Sequence, residues 1–211
     1  MTKDERLKIE NATVKLVGKK GGQGVLVPGN LIVTAAHCVA YSTEGEMVLG
    51  DYFVEPIETA SGAKLSVTPL VMEPCSDIAV LGALDDQACP EQCEAFYQWC
   101  ERTTSVRIST QRLSNGEEIP IEIRTHKGGW IAGNASQFGI VEGRSIWIGA
   151  KEQVEPGTSG SPIVNESGEL VAIVSHTSLI SESLPECSGS NPRPHLALPV
   201  WILKLMTPKA D

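Results

Sequence analysis

Gly24-Val25-Leu26-Val27-Pro28-Gly29-Asn30-Leu31-Ile32-Val33-Thr34-Ala35-Ala36-His37-Cys38 holds two short apolar runs on either side of a turn tripeptide. Gly24 to Val27 and Leu31 to Ala36 read as strands, and Pro28-Gly29-Asn30 is a tight turn between them. The second run passes through two alanines into a histidine. An imidazole is thereby set at the rim of the sheet or barrel that the strands build, with small residues beside it that permit close packing.

The same texture extends in both directions. Val14 to Val17 precedes the hairpin, and Glu46 to Leu49, Lys64 to Val71 and Ile78 to Leu81 follow it as strand candidates; together they would close a first barrel. Asp85 to Arg102 differs. Pro90 stands where a helix can start, and Cys93, Phe96 and Cys100 recur at helical spacing, so this stretch predicts a short helical connector. Strand signals resume at Ser105 to Ser109 and at Ile119 to Arg124, where isoleucines alternate with Pro120, Glu122 and Arg124. They continue through Trp130-Ile131, Phe138 to Val141, Ser145 to Gly149, Pro162 to Val164, Leu170 to Ser175 and His195 to Leu198. The turn Asn165-Glu166-Ser167-Gly168 joins two of these runs. Pro199 to Met206 reads as a terminal helix with proline at its first position. Many short strands, few helical periods and 211 residues predict an all-β chain of ordinary single-domain size.

Composition excludes some partners. A net charge of −9 leaves no basic face to neutralise phosphates, so no nucleic-acid partner is expected. No apolar run approaches the ~18 residues of a membrane span, so no membrane partner is expected. The charged start Met1-Thr2-Lys3-Asp4-Glu5-Arg6 is followed by no apolar leader segment, and the expected location is cytoplasmic. On that view the sequons at Asn11, Asn134 and Asn165 are chance matches.

Three segments carry chemistry. A serine hydroxyl is a poor nucleophile at neutral pH and needs a base, an orienter for that base and donors for the developing oxyanion. Gly157-Thr158-Ser159-Gly160-Ser161-Pro162 offers a nucleophile and donors together: Gly157 reaches backbone angles that let its N–H and that of Ser159 converge, and Gly160 clears space beside the hydroxyl. Alone, the stretch is equally a Gly/Ser turn. His37 is the candidate base, although a lone histidine after a strand is usually a satisfied polar group. Asp77, directly before the apolar run Ile78-Ala79-Val80-Leu81, is the candidate orienter, although such a carboxylate is more often a strand-end cap.

Taken in the order His, Asp, Ser, these segments resemble the T-A-A-H-C, D-I-A-hydrophobic-L and G-x-S-G-x-P signatures of the chymotrypsin-like (trypsin-like) serine peptidases. His37 and Asp77 lie 40 residues apart, and Asp77 and Ser159 lie 82 apart, somewhat tighter than typical members. The resemblance runs from about Thr13 to Met206. It implies a double six-stranded β-barrel with a short C-terminal helix: an N-terminal barrel over residues 9–84 carrying His37 and Asp77, a connector over 85–103, and a second barrel with the helix over 104–211 carrying Ser159. It further implies that His37, Asp77 and Ser159 form a catalytic triad, that the N–H groups of Gly157 and Ser159 form the oxyanion hole, and that Gln153, Ser175, His176, Thr177 and His195 contact substrate. No cofactor or metal is implied, and the expected partner is a protein or peptide substrate.

Departures from the digestive members are informative. Those pair a freed amino terminus with an aspartate just before the nucleophile; here Thr158 stands there and cannot form that ion pair, so no N-terminal cleavage should be needed. The motif style is similar to bacterial and viral branches, including glutamyl endopeptidases and HtrA-like peptidases, with no following segment long enough for a PDZ domain. Cys38 and Cys187 lack the partners that extracellular members use, which points to reduced thiols. Cys89, Cys93 and Cys100 match no zinc spacing and read as core residues. His126, in a polar Arg-Thr-His-Lys stretch, is expected to be exposed, and Asp85-Asp86 to be a solvated turn. Gln153, six residues before the nucleophile, replaces the aspartate that selects Arg or Lys; with Thr177 narrowing the pocket, small or medium uncharged side chains are expected before the cut. The competing idea is a polar side chain held by Gln153 and His195. The reading as a whole is a serine endopeptidase. Its rivals are a catalytically silent barrel pair that binds a protein, and a processing domain belonging to a larger polypeptide or complex.

Overall fold

In the computed structural model, residues 1–39, 54–73, 77–111, 113, 116–137, 146–175 and 195–196 are described. The expected strands at Glu46 to Leu49 and Phe138 to Val141 and the expected helix Pro199 to Met206 lie outside them.

The chain opens with a helix, α1 (Lys3–Ala12), that the strand-centred reading did not anticipate. Its signal is local. The Thr2 hydroxyl accepts from the Glu5 N–H, the Thr2 N–H donates to the Glu5 carboxylate, and two otherwise orphaned helix-start donors are satisfied reciprocally. The helix buries only Ile9 and Ala12.

Six strands follow: β1 (Thr13–Leu16), β2 (Gly22–Val27), β3 (Leu31–Ala35), β4 (Glu55–Glu58), β5 (Lys64–Glu73) and β6 (Ile78–Gly82). They close into an antiparallel barrel in the order β1-β2-β3-β6-β5-β4. Strand β4 was not expected. The β2–β3 hairpin turns through Pro28-Gly29-Asn30 as predicted, with Val27 opposite Leu31. Residues 23–27 of β2 and all of β6 are buried, because these strands face the barrel core on one side and neighbouring structure on the other.

The connector is α2 (Pro90–Arg102), with proline in its first turn and Cys93, Phe96 and Cys100 on its buried stripe, as the spacing predicted. Ser105 to Ser109 is not a strand of the sheet; it makes one isolated parallel bridge, Ile108 to Leu170, and the Val106 N–H donates to the Leu26 carbonyl at 2.9 Å. That bond joins the second half of the chain to the first barrel.

The second half is a six-stranded antiparallel sheet of β7 (Glu118–Arg124), β8 (Trp130–Gln137), β9 (Ile146–Ala150), β10 (Pro162–Asn165), β11 (Leu170–Ile173) and β12 (His195–Leu196), ordered β11-β10-β7-β8-β9-β12. Ile121 and Ile123 of β7 are buried while Glu118 and Pro120 are exposed, the alternation that a half-buried strand requires. The chain is thus mostly β, with two six-stranded units, and agrees with the double-barrel architecture expected from the resemblance. Between the units, Gly22 and Gln23 of β2 lie against the backbone of Ser159.

Candidate active site

His37 sits in a single 3-10 turn, Ala36–Cys38, that ends β3. Asp77 immediately precedes β6 and has a left-handed backbone, φ +53°. Pairing of β3 with β6 sets Ala35 opposite Ile78, and the Ala36 N–H donates to the Asp77 carbonyl at 3.0 Å. The two candidate residues are therefore aligned by the sheet itself. Asp77 receives the His37 N–H on Oδ1 at 2.9 Å and hydrogen-bonds the His37 ring at Nδ1 through Oδ2 at 2.7 Å. A third donor is Ser175, whose hydroxyl also binds Asp77 Oδ2.

These contacts set the charges. The Asp77 bond raises the His37 imidazole to about 10, with a further contribution from Cys38, whose Sγ lies 3.6 Å from His37 Nε2. Burial alone would raise Asp77, but the bonds from the His37 ring, the Ser175 hydroxyl and the His37 N–H outweigh it and hold the carboxyl below its ordinary range. An ionised carboxylate facing Nδ1 holds a proton there and favours the imidazolium, so Nε2 becomes the acceptor that a general base needs only in the fraction of molecules where the ring has lost its second proton.

Ser159 comes from the other half of the chain, and backbone contacts fasten its segment onto the first barrel. The Gln23 N–H of β2 donates to the Ser159 carbonyl at 2.8 Å. A side chain on Gly22 would meet Cys38 Sγ at 2.5 Å and the Ser159 carbonyl oxygen at 3.2 Å, so Ser159 and the residue beside His37 flank one glycine. The Gly160 N–H donates to the Val174 carbonyl at 2.6 Å, and the Ser161 N–H to the Thr158 carbonyl at 3.0 Å. Gly160, at φ +80°, lies against the Gln23 carbonyl, which also accepts the Thr34 hydroxyl at 2.5 Å. Gly157 has φ +91°, a conformation that an L side chain rarely adopts. Among the described residues, no acceptor takes the N–H of Gly157 or of Ser159.

Thr158 is fully buried, consistent with its inability to serve as a charged partner, and its hydroxyl shares a 3.1 Å hydrogen bond with His126 Nδ1. His126 was expected to be exposed. It is half-buried instead, because the β7–β8 turn folds its ring over Gly157 and onto Thr158. No local pattern marks this contact; only the turn's position beside the Ser159 loop creates it. Ser175 is one of the residues expected to contact substrate. Its side chain is buried against Asp77.

Of the other expected substrate contacts, Gln153 is exposed just before the buried Val154, and His195 lies on β12 opposite Trp147 of β9. His176 and Thr177 fall outside the described residues, as does Cys187. Cys38, Cys89, Cys93 and Cys100 are free thiols. Burial pushes Cys100 up to about 12 and also raises Cys93. No metal-binding cluster occurs among the described residues.

A barrel whose rim carries a His–Asp pair, joined to a Gly-x-Ser-Gly segment from a second β unit, defines the trypsin-like serine peptidase class. The chain belongs to the family described as the trypsin-like peptidase domain, whose sequence model matches residues 22–173. Solved structures with similar folds include Rv3671c from M. tuberculosis in an inactive form, at TM-score 0.60 and 14% identity, covering 98% of this chain and 92% of that one. An active form of Rv3671c protease gives TM-score 0.59 at 15% identity, covering 95% of this chain and 81% of that one. A serine endoprotease from Yersinia pestis gives TM-score 0.57 at 15% identity, covering 97% of this chain and 65% of that one. At such identities the likeness is one of fold. No curated protein matched the sequence.

Proposed function

We propose that this chain is a serine endopeptidase whose triad is His37, Asp77 and Ser159. The observation that carries the reading is the 2.7 Å bond between His37 Nδ1 and Asp77 Oδ2 at the seam to which the Ser159 segment is tied. Ser159 Oγ attacks the scissile carbonyl carbon and passes its proton to His37 Nε2, while Asp77 stabilises the imidazolium that forms. The oxyanion takes hydrogen bonds from the N–H groups of Gly157 and Ser159. Collapse expels the amine, which leaves with the proton from His37, and water repeats the sequence on the acyl-enzyme. No step calls for a metal or cofactor, and the substrate is a protein or peptide.

In the same reading, the side chain before the cut is small or medium and uncharged, because by the resemblance Gln153 replaces the aspartate that selects Arg or Lys and Thr177 replaces the glycine that leaves a wide entrance. A polar side chain bound by Gln153 and His195 is the alternative. A peptide library separates them: a graded preference over Ala, Val and Thr supports the narrow pocket, one dominant polar residue supports the alternative, and efficient cleavage after Arg or Lys defeats both. The test of the main proposal is covalent labelling by a fluorophosphonate. Wild-type protein should label at Ser159, and Ser159→Ala should abolish labelling and lower turnover by about 10⁶-fold with the fold intact. A folded wild-type protein that never labels would leave a catalytically silent binding module as the function.

A further inference from the structure

The loop from Glu155 to Ser159 has to hold two backbone N–H groups in convergent directions, and Gly157 within it has the backbone freedom to leave that conformation. In digestive relatives an ion pair at the residue before the nucleophile secures the loop; Thr158 has no charge to offer. Two contacts reach the loop from one place, the turn between β7 and β8. His126 hydrogen-bonds the buried Thr158 hydroxyl at 3.1 Å and lays its ring along Gly157, where an added side-chain carbon would sit 3.5 Å from Cγ. Lys127 Nζ pairs with Glu155 at 2.5 Å. Both partners of that ion pair are largely exposed, so it contributes little on its own. The weight falls on His126 and Thr158, one of them wholly removed from water.

The turn is itself held rigid. Arg124 Nη1 donates to the Thr125 and Gly129 carbonyls at 3.4 and 3.1 Å, and the Thr125 hydroxyl binds across the turn to Gly129. Trp130, opposite Arg124 in the register, donates its indole N–H to Glu10 of α1 at 2.9 Å and lies 5.8 Å beneath each of the Arg6 and Arg124 guanidinium groups. Arg6 in turn grips Glu122 with two bonds of 2.9 and 2.8 Å. A continuous set of contacts therefore runs from α1 through Trp130 and Arg124 to the turn, and from the turn to the loop that precedes Ser159.

We propose that His126 is a positioning residue: from the β7–β8 turn it clasps Thr158 and Gly157 and keeps the oxyanion-binding loop in its working conformation without an N-terminal ion pair. The inference rests on the peptidase reading for its catalytic consequence but not for its structural one, and two measurements separate them. In labelling by a fluorophosphonate, His126→Ala and Thr158→Val should each slow modification of Ser159 about tenfold, the size of one lost net hydrogen bond. The double variant should be no slower than either single one, because both remove the same bond. His126→Asn, which presents an amide nitrogen near the position of Nδ1, should recover most of the rate; loss of packing alone would not be repaired in this way.

Hydrogen–deuterium exchange supplies the second measurement. In His126→Ala the amides of residues 155–161 should exchange faster while those of β2, β3 and β6 stay as in the wild type. If the wild-type protein fails to label but His126→Ala still loosens 155–161, the peptidase reading falls and the clasp stands. If wild-type protein labels and His126→Ala matches it in labelling and in exchange over 155–161, the clasp is overturned.

Discussion

Replacing Gly160 with alanine tests the site through a single added carbon. The new Cβ would lie 1.9 Å from the Gln23 carbonyl oxygen and 2.5 Å from Thr34 Oγ1, where ordinary contact begins at 3.4 Å. Neither neighbour is the far end of a flexible side chain. Gln23 is a backbone carbonyl within the barrel wall, and the Thr34 hydroxyl is already spent on it. The substitution also carries a backbone cost, because φ is +80°. The left-handed conformation costs an L residue about 1–2 kcal/mol, and overpacking a close-packed site adds about 1–3 kcal/mol. Gly160→Ala should therefore lose about 2–5 kcal/mol, read as a shift of the urea midpoint at unchanged slope. Relief of the clash moves residues 159–160 away from β2, and a displacement of about 1 Å at a reacting group costs about 10²-fold in rate. Fluorophosphonate labelling of the folded fraction reads that loss. Gly62→Ala is the control: its φ is +83° with nothing within 4 Å of the added carbon, so it should show the backbone cost alone and label normally. A Gly160→Ala protein with wild-type stability and labelling would refute the packing argument and the position assigned to Ser159.

Four further outcomes follow from the same contacts. Asp77→Asn should lower turnover by about 10⁴-fold. Because the Asp77 bond is the largest cause raising His37 to about 10, its loss should also move the rising limb of the pH–rate profile toward acid; a limb that stays in place would mean His37 is not the titrating base. Phe96→Ala, which empties a fully buried position of α2, should cost about 3–5 kcal/mol in chemical denaturation while labelling per folded molecule is unchanged. Trimming the chain to Ile9 removes Arg6 and its bonds to Glu122, so melting temperature should fall and labelling should not rise; strict dependence of labelling on trimming would revive an activation cleavage. We propose that the thiols stay reduced in a cytoplasmic protein, so intact mass after alkylation of the denatured, unreduced protein should count all six cysteines, and three disulfides would overturn this.

What the residues determine unaided is whatever short-range chemistry writes into consecutive positions. The β2–β3 hairpin was legible because Pro28-Gly29-Asn30 makes a turn between two apolar runs, and α2 because Pro90, Cys93, Phe96 and Cys100 keep helical spacing. His37, Asp77 and Ser159 stood out because each lies in a short motif with small or apolar neighbours, in the order His, Asp, Ser. Helix α1 was equally readable from Thr2 and Glu5, but a search for strand periodicity passes over a helix that buries only two residues. The remaining contacts have no local signature. Ser175 reaches Asp77 across 98 positions of sequence, and His126 reaches Thr158 across 32. Each pair consists of ordinary polar residues in segments that would be unremarkable alone. A hydrogen bond needs two groups within about 3 Å in the right direction; that proximity exists for His126 and Thr158 only once the second sheet has assembled, and for Ser175 and Asp77 only once the two β units have come together.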